Sequence, residues 1–359
     1  MRVRGVLSLW GGACSGGVVC SALRAWCGVL AWVAGCASPA PGADVTDARD
    51  VAAMGDAAAL DAQPEDAGDT GADAGGADAD TADAGTLPAC GACGDYGAVR
   101  VSGRWQRMVL GEVSGLAASA AHPGIFWAHN DSGDSARVFA VTAEGAIRGE
   151  YTAQGAGAVD WEDIAVAPCP GSGRSCVVVA DVGDNAVARA SVELYRFEEP
   201  AVIEAAGTVT VTRFRVRYPM GPMNCEALVV DRRDGARALL LEKTTRAPRL
   251  VQVDLSARDG GEASAVELGT IPTFAGALVT GADAHPCAPA MLVRTYDAAY
   301  ELRAEGDAGA GLEAIARGSR RVVPSANELQ GEAIAYLHDG RGYVTATEVQ
   351  TLISTTRCR

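Results

Sequence analysis

Histidine is nearly absent from this chain: there are four in 359 residues, His122, His129, His285 and His338. None lies in a nucleophile-elbow sequence and no Ser-His-Asp order stands out, so nothing supports a serine hydrolase. Two of the four occupy repeated His-Pro turns, at His122-Pro123 and His285-Pro286, which suits structural roles. A basic excess is missing as well. The formal charge is −15; residues 43–87 hold twelve acids and only Arg49, giving about −11, while Arg2, Arg4 and Arg24 add +3 near the start. The remainder carries roughly −7 by that arithmetic. A mildly acidic domain is a poor candidate for neutralising phosphates along a polymer, so no nucleic-acid partner is expected, DNA or RNA. Beyond the first residues there is no apolar run long enough to span a bilayer.

What is present begins with an address. Arg2 and Arg4 precede an apolar run, Trp26 to Val33, that leads into Val33-Ala34-Gly35-Cys36. Residues 1–35 therefore read as a signal peptide and resemble a bacterial lipoprotein leader, which implies that Cys36 is lipidated. Ala37 stands where aspartate would be the inner-membrane retention signal, so the expected location is the cell envelope, at the outer membrane or cell surface. Residues 36–87 are Ala, Asp and Gly with almost no large apolar side chain, a composition that cannot offset the entropy of ordering. They read as a disordered tether between lipid and domain. Residues 88–359 are the domain.

Seven cysteines lie beyond Cys36: Cys90, Cys93, Cys169, Cys176, Cys225, Cys287 and Cys358. An exported chain can keep disulfides. Cys169 and Cys176 flank a Gly-Ser turn, a hairpin geometry suited to a bridge, and Cys358 is placed to meet Cys90 or Cys93. Cys90-Gly-Ala-Cys93 has the spacing of a zinc or redox pair, but no second pair accompanies it, so it reads as structural. An odd total leaves at least one thiol without an intramolecular mate.

Five short apolar strands look alike: SGLAAS, EDIAVAP, EALVVD, TGADAHP and EAIAYL. They align Ser114, Glu162, Glu226, Thr280 and Glu332, at separations of 48, 64, 54 and 52 residues. A β-rich repeat of about 40 to 65 residues marks a β-propeller, one repeat per blade. The fold expected is all-β, with five blades in preference to six. The last repeat has only three strands, and the missing one is available in Ala98–Leu110, so an N-terminal strand completes the final blade and closes the ring. In the second blade VTVTRFRVRY reads as one outer strand.

Inner strands of a propeller meet at the central channel, so three carboxylates and two hydroxyls converge there. Like charges that close are costly unless a cation joins them. Hard oxygens from Ser114, Glu162, Glu226, Thr280 and Glu332 suit calcium, which takes six to eight oxygen ligands. The turns between second and third strands lie on the same face. They place Asn130, Asp131, Asp134, Asp184, Asn185, Lys243, Arg246, Arg294 and Tyr296 around the mouth.

The pattern resembles the calcium-activated nucleotidase (apyrase) family, a five-bladed propeller with one channel calcium. In that family the ligands, in order, are serine, glutamate, glutamate, serine and glutamate. The SGL…NDSG and WEDIAV…DVGDN blocks also resemble secreted esterase-like phytases. The resemblance implies calcium as cofactor and a phosphorylated small molecule as substrate. As an enzyme, the chain would be a phosphohydrolase with Asp131, Asp134 or Asp184 as general base. Lys243, Arg246, Arg294, Tyr296, Asn130 and Asn185 would then bind substrate. The other class is a non-catalytic, lipid-tethered monomer that binds an extracytoplasmic protein or small ligand on the same face, with a structural cation.

Overall fold

The computed structural model describes residues 89–359 apart from 306–308 and 348–349. The leader, Cys36 and the tether to residue 87 lie outside the described residues. All that is described falls in one compact unit, Asp80–Arg359. It is a five-bladed β-propeller.

Strand β1 (Arg100–Arg104) comes first. Blade one follows with β2 (Val113–Ala118), β3 (Ile125–Asn130), β4 (Arg137–Thr142) and β5 (Ile147–Gln154). Blade two opens with β6 (Trp161–Pro168), β7 (Ser175–Asp181) and β8 (Val192–Glu198), and after β9 (Ala206–Thr210) resumes at β10 (Thr212–Val216). Blade three holds β11 (Cys225–Val230), β12 (Arg237–Glu242) and β13 (Arg249–Asp254), then, after β14 (Gly261–Ala263), β15 (Ala265–Thr270). Blade four is β16 (Val279–Ala284), β17 (Ala290–Thr295) and β18 (Ala299–Arg303), followed by helix α1 (Leu312–Ala316) and β19 (Ser319–Val323). Blade five is β20 (Gly331–Tyr336), β21 (Gly342–Thr347) and β22 (Leu352–Arg357). Its outer strand is β1, antiparallel to β22, so the ring closes through the chain's own N-terminal strand.

The strand expected as VTVTRFRVRY is two strands broken at Val211. The first half, β9, leaves blade two and pairs parallel with β5 of blade one. The short β14 likewise pairs parallel with β10, so blades one and two each gain a fifth strand from the next repeat. This swap fills the long 64-residue interval without a sixth blade. It also covers two open sheet edges.

Each blade packs between two others, so its strands are apolar on both faces, and β2, β11, β16 and β20 are buried throughout. The core divides into five clusters, one per seam. Leu116, Phe126 and Phe139 meet Val344 and Ile353 between blades one and five, and Trp127 and Tyr151 meet Val177 and Tyr195 between one and two. Leu194 and Phe214 face Leu228 and Leu240 between two and three; Leu239 and Leu241 face Met291 and Val293 between three and four. Each such side chain contributes about 1.5–3 kcal/mol by leaving water. The seam between four and five is built differently, from Leu292, Ile334, Tyr336 and Tyr343 around a buried carboxylate. Glu301 there accepts from Tyr96 Oη (2.7 Å), Tyr336 Oη (3.1 Å), Arg303 Nε (2.8 Å) and Arg321 Nε (2.7 Å).

Two disulfides staple this more polar seam to the start of the domain, Cys90–Cys287 and Cys93–Cys358. A third joins Cys169 to Cys176 across the β6–β7 turn, and Cys225 is free and buried. Among the described residues no helix is long and apolar enough to cross a membrane.

Candidate functional site at the channel mouth

All five inner strands break register at the same place. The shifts fall between Val113 and Gly115, Trp161 and Asp163, Cys225 and Ala227, Val279 and Gly281, and Gly331 and Ile334. Each shift encloses the aligned residue, Ser114, Glu162, Glu226, Thr280 or Glu332, the last together with Ala333. A bulge re-aims a side chain and ends regular pairing, and here it does so once per blade. All five are buried, between 0% and 6% exposed.

Four of them have distinct partners. Ser114 Oγ donates to the carbonyl of Glu162 (2.6 Å) and Thr280 Oγ1 to that of Gly331 (2.8 Å), so both hydroxyls join neighbouring blades. Glu226 pairs with Lys243 Nζ at 2.6 Å and accepts from Asn224 Nδ2 at 3.2 Å. The Lys243 ammonium also lies 4.6 Å from the centre of the Tyr296 ring. Glu162 joins Asp131 and Asp160, the three ligand oxygens all within 4.8 Å of one another.

The electrostatics follow from that crowding. Burial, then Glu226, Asp131 and Asp160, raise the Glu162 carboxyl far above the usual range. Asp160 is raised by burial and by Asp131. Glu226 is raised by burial, against the downward pull of Lys243. Burial alone would lower the Lys243 ammonium, but Glu226 and Tyr296 hold it protonated, with Glu332 adding to the effect. Gly183, in the turn after β7, is required by the same geometry, because a Cβ there would overlap Glu162 Oε1 and the Asp160 carboxylate.

Beneath the mouth the channel is plugged. Asp163, fully buried, accepts from Leu228 N (2.8 Å) in blade three and Ala282 N (3.1 Å) in blade four, as well as from Ile164 N (2.9 Å). One carboxylate thus ties three blades together across the axis.

The other expected site residues scatter. Asp134 is held by Arg137 Nε (2.9 Å) and Asn130 Nδ2 (2.7 Å), which keep its carboxyl below the usual range against the effect of burial. Asp184 accepts from the backbone of Ala188 (2.9 Å) and Arg189 (2.8 Å), a turn-capping role. Asn185 accepts from Asn224 Nδ2 at 3.2 Å. Arg294, expected at the mouth's surface, is 1% exposed and paired with Glu328 Oε2 at 2.9 Å, under a backbone where only Gly331 leaves it room. Arg246 is exposed. Only Asp131 joins Glu162 in the cluster.

Two residues escaped the sequence reading. Asp160 completes the three-carboxylate cluster, and Asn224 links Glu226, Asn185 and the Asp184 amide (2.7 Å). Each stands two positions before its bulge residue, so Asp160-Trp161-Glu162 and Asn224-Cys225-Glu226 form a polar-x-Glu pattern that extending the alignment by two positions would have exposed. Lys243 had a signal of its own: it is the sole lysine in the sequence, among thirty basic residues.

No family model and no curated protein sequence matches the chain. Solved structures do, at low identity. The β-propeller domain of Cps50 (Swd1) from Myceliophteria thermophila is 8% identical, with a TM-score of 0.41 over 73% of this chain and 100% of that one. An auxiliary nutrient binding protein from Bacteroides thetaiotaomicron is 9% identical, with a TM-score of 0.38 over 72% and 75%. In a mitotic checkpoint complex the match is 10% identical at a TM-score of 0.35, covering 68% of this chain and 62% of the other. The likeness concerns fold alone, and the propeller stands on its own sheet topology.

Proposed function

We propose that the protein is an exported, lipid-anchored β-propeller that holds a divalent cation at its channel mouth and binds a small ligand or protein over it. The convergence of Asp131, Asp160 and Glu162 carries this reading. Three carboxylates so close repel unless protonated or joined by a cation. The donors are all hard oxygens, with no histidine or cysteine among them, a set that favours calcium over zinc or copper. Glu162 is then the one residue shared with the ligand frame that the nucleotidase resemblance implies. The Ser114 and Thr280 hydroxyls donate to backbone carbonyls and Glu226 is paired with Lys243, so these three lie outside the cluster.

Binding is favoured over hydrolysis because two of the three cationic groups expected to grip phosphate are committed elsewhere. Lys243 neutralises Glu226 and Arg294 is buried against Glu328. Phosphoester hydrolysis remains the second reading because Asp131, a candidate base, sits in the cluster. Three disulfides suit an oxidising compartment, which supports export. A Cys36→Ser change should abolish acylation in a labelled-fatty-acid assay.

Calorimetric titration of the full chain with calcium tests the reading, run beside phosphate-release assays on nucleotides and phytate. Saturable calcium binding without phosphate release supports a binding propeller, and release that stops with Asp131→Asn supports the enzyme. No heat of binding at any calcium concentration would remove the cation.

A further inference from the structure

The channel has a second mouth, at the far ends of the inner strands, and it is chemically the reverse of the first. A cavity of about 420 Å³ opens there. Every blade contributes to it at the exit of its inner strand: Ser119, Pro168, Arg232, Pro286 and His338. It therefore sits on the propeller axis. No aspartate or glutamate lines it, whereas two arginines and a histidine do.

The cationic groups are placed by the fold. Arg232 gives one Nη2 bond (2.9 Å) to Asp283, a fully buried carboxylate whose other oxygen accepts from Tyr336 N at 2.8 Å. That pair tethers one end of the guanidinium, and Arg232 lines the cavity. Arg174 projects from the β6–β7 hairpin that the Cys169–Cys176 disulfide closes. It shares its charge with Glu198, which lies outside the cavity lining. His338 is oriented by its Nδ1, 3.0 Å from the Ser119 carbonyl, so Nε2 is its other polar atom. The rest of the wall is mostly apolar, with Ala118, Ala167 and Leu337, and is completed by Ser119, Ser175 and Tyr336 among others.

We propose that this second mouth is a binding site for a small organic carboxylate. Its anionic head sits on Arg232 and Arg174 and its apolar body rests on the alanine and leucine wall. The volume lies at the low end of small-molecule sites, and few polar groups in a mostly apolar concavity are what such sites contain. A guanidinium held by one carboxylate still offers a fork to a second. The acidic mouth would repel such a ligand, so the two ends of the channel select opposite charges. This site is independent of the cation and stands or falls separately from it.

Benzoate and inorganic phosphate, titrated calorimetrically into the full chain, are the probes. The expected result is saturable benzoate binding and no phosphate binding. Arg174→Ala, at an exposed position, should weaken benzoate several-fold. Arg232→Lys keeps the charge beside Asp283 but removes the fork, and should weaken it about tenfold or more. The buried Asp283 pairing makes Arg232→Lys a folding risk, so its melting temperature is read beside its affinity, and Arg174→Ala carries the test if it does not fold. Phosphate binding as tight as benzoate would overturn the carboxylate assignment. Absence of benzoate binding, or affinity unchanged in Arg174→Ala and in folded Arg232→Lys, would overturn the site.

Discussion

Glu162→Gln should leave the protein as stable as before, or more so, in the absence of calcium, and should abolish stabilisation by calcium. The magnitude follows from the cluster's dimensions. Two unit charges at 4.8 Å repel by about 3.5 kcal/mol at an effective dielectric near 20. Solvent at the half-buried Asp131 and Asp160 reduces this to on the order of 1–2 kcal/mol per pair. Three ionised carboxylates would still withdraw several kcal/mol from a folded state worth only about 5–15, so without a cation Glu162 stays protonated, as its raised pKa indicates. Glutamine copies the shape of that protonated acid. With calcium at a hundredfold excess over Kd, the native protein should gain about 2.7 kcal/mol, or about 5–10 °C in melting temperature for a domain of this size. Differential scanning calorimetry of both proteins, with chelator and then with calcium, measures the difference. A full calcium shift in the glutamine variant would refute the cluster as the cation's site.

Lys243→Met should cost about 3–5 kcal/mol in urea unfolding because it leaves the buried Glu226 without its counter-charge, and adding Glu226→Gln should restore most of the loss. In chelator, stability should fall as pH rises above about 4.3. Glu162 and Asp160 have raised folded-state pKa values, so the folded state binds more protons than the unfolded one over that window. Calcium should flatten the dependence, a comparison that denaturant titrations at several pH values can make. Replacing Cys93 and Cys358 together by serine should cost about 2–5 kcal/mol. By native-state hydrogen exchange, the loss should appear first at β1 and β22, which close the ring.

Much of the propeller was legible because its signals are local. Each repeat carries its own apolar strands and turn residues, and the aligned positions all prove to be bulges, a backbone feature that recurs wherever the repeat does. The strand swap was not legible. Apolar residues alternate at Val209 and Val211 and again, after a slip of phase at Thr212-Arg213, at Phe214 and Val216. That slip marks a break, but nothing in the pattern says which sheet each half joins; the choice is made by parallel pairing with β5. The candidate site was legible in part for a related reason. Glu162 and Asp131 were visible as acids at repeat landmarks. The fate of Arg294 depends on Glu328, thirty-four residues away and outside any motif. The pairing of Cys90 with Cys287, 197 residues apart, is set by how blade four meets the start of the domain, which no spacing rule reports.

Trp161 stands between Asp160 and Glu162 in sequence, so terbium offers the most direct test of the cation site. The lanthanide takes oxygen ligands as calcium does, and a nearby indole sensitises its emission. Terbium added to the full chain should luminesce on tryptophan excitation, and calcium should quench the signal by displacement. Trp161→Phe should lose the emission while keeping calorimetric binding, and Glu162→Gln should lose both. Emission that survives in Trp161→Phe and Glu162→Gln alike would put the ion elsewhere and contradict a cation at the channel mouth.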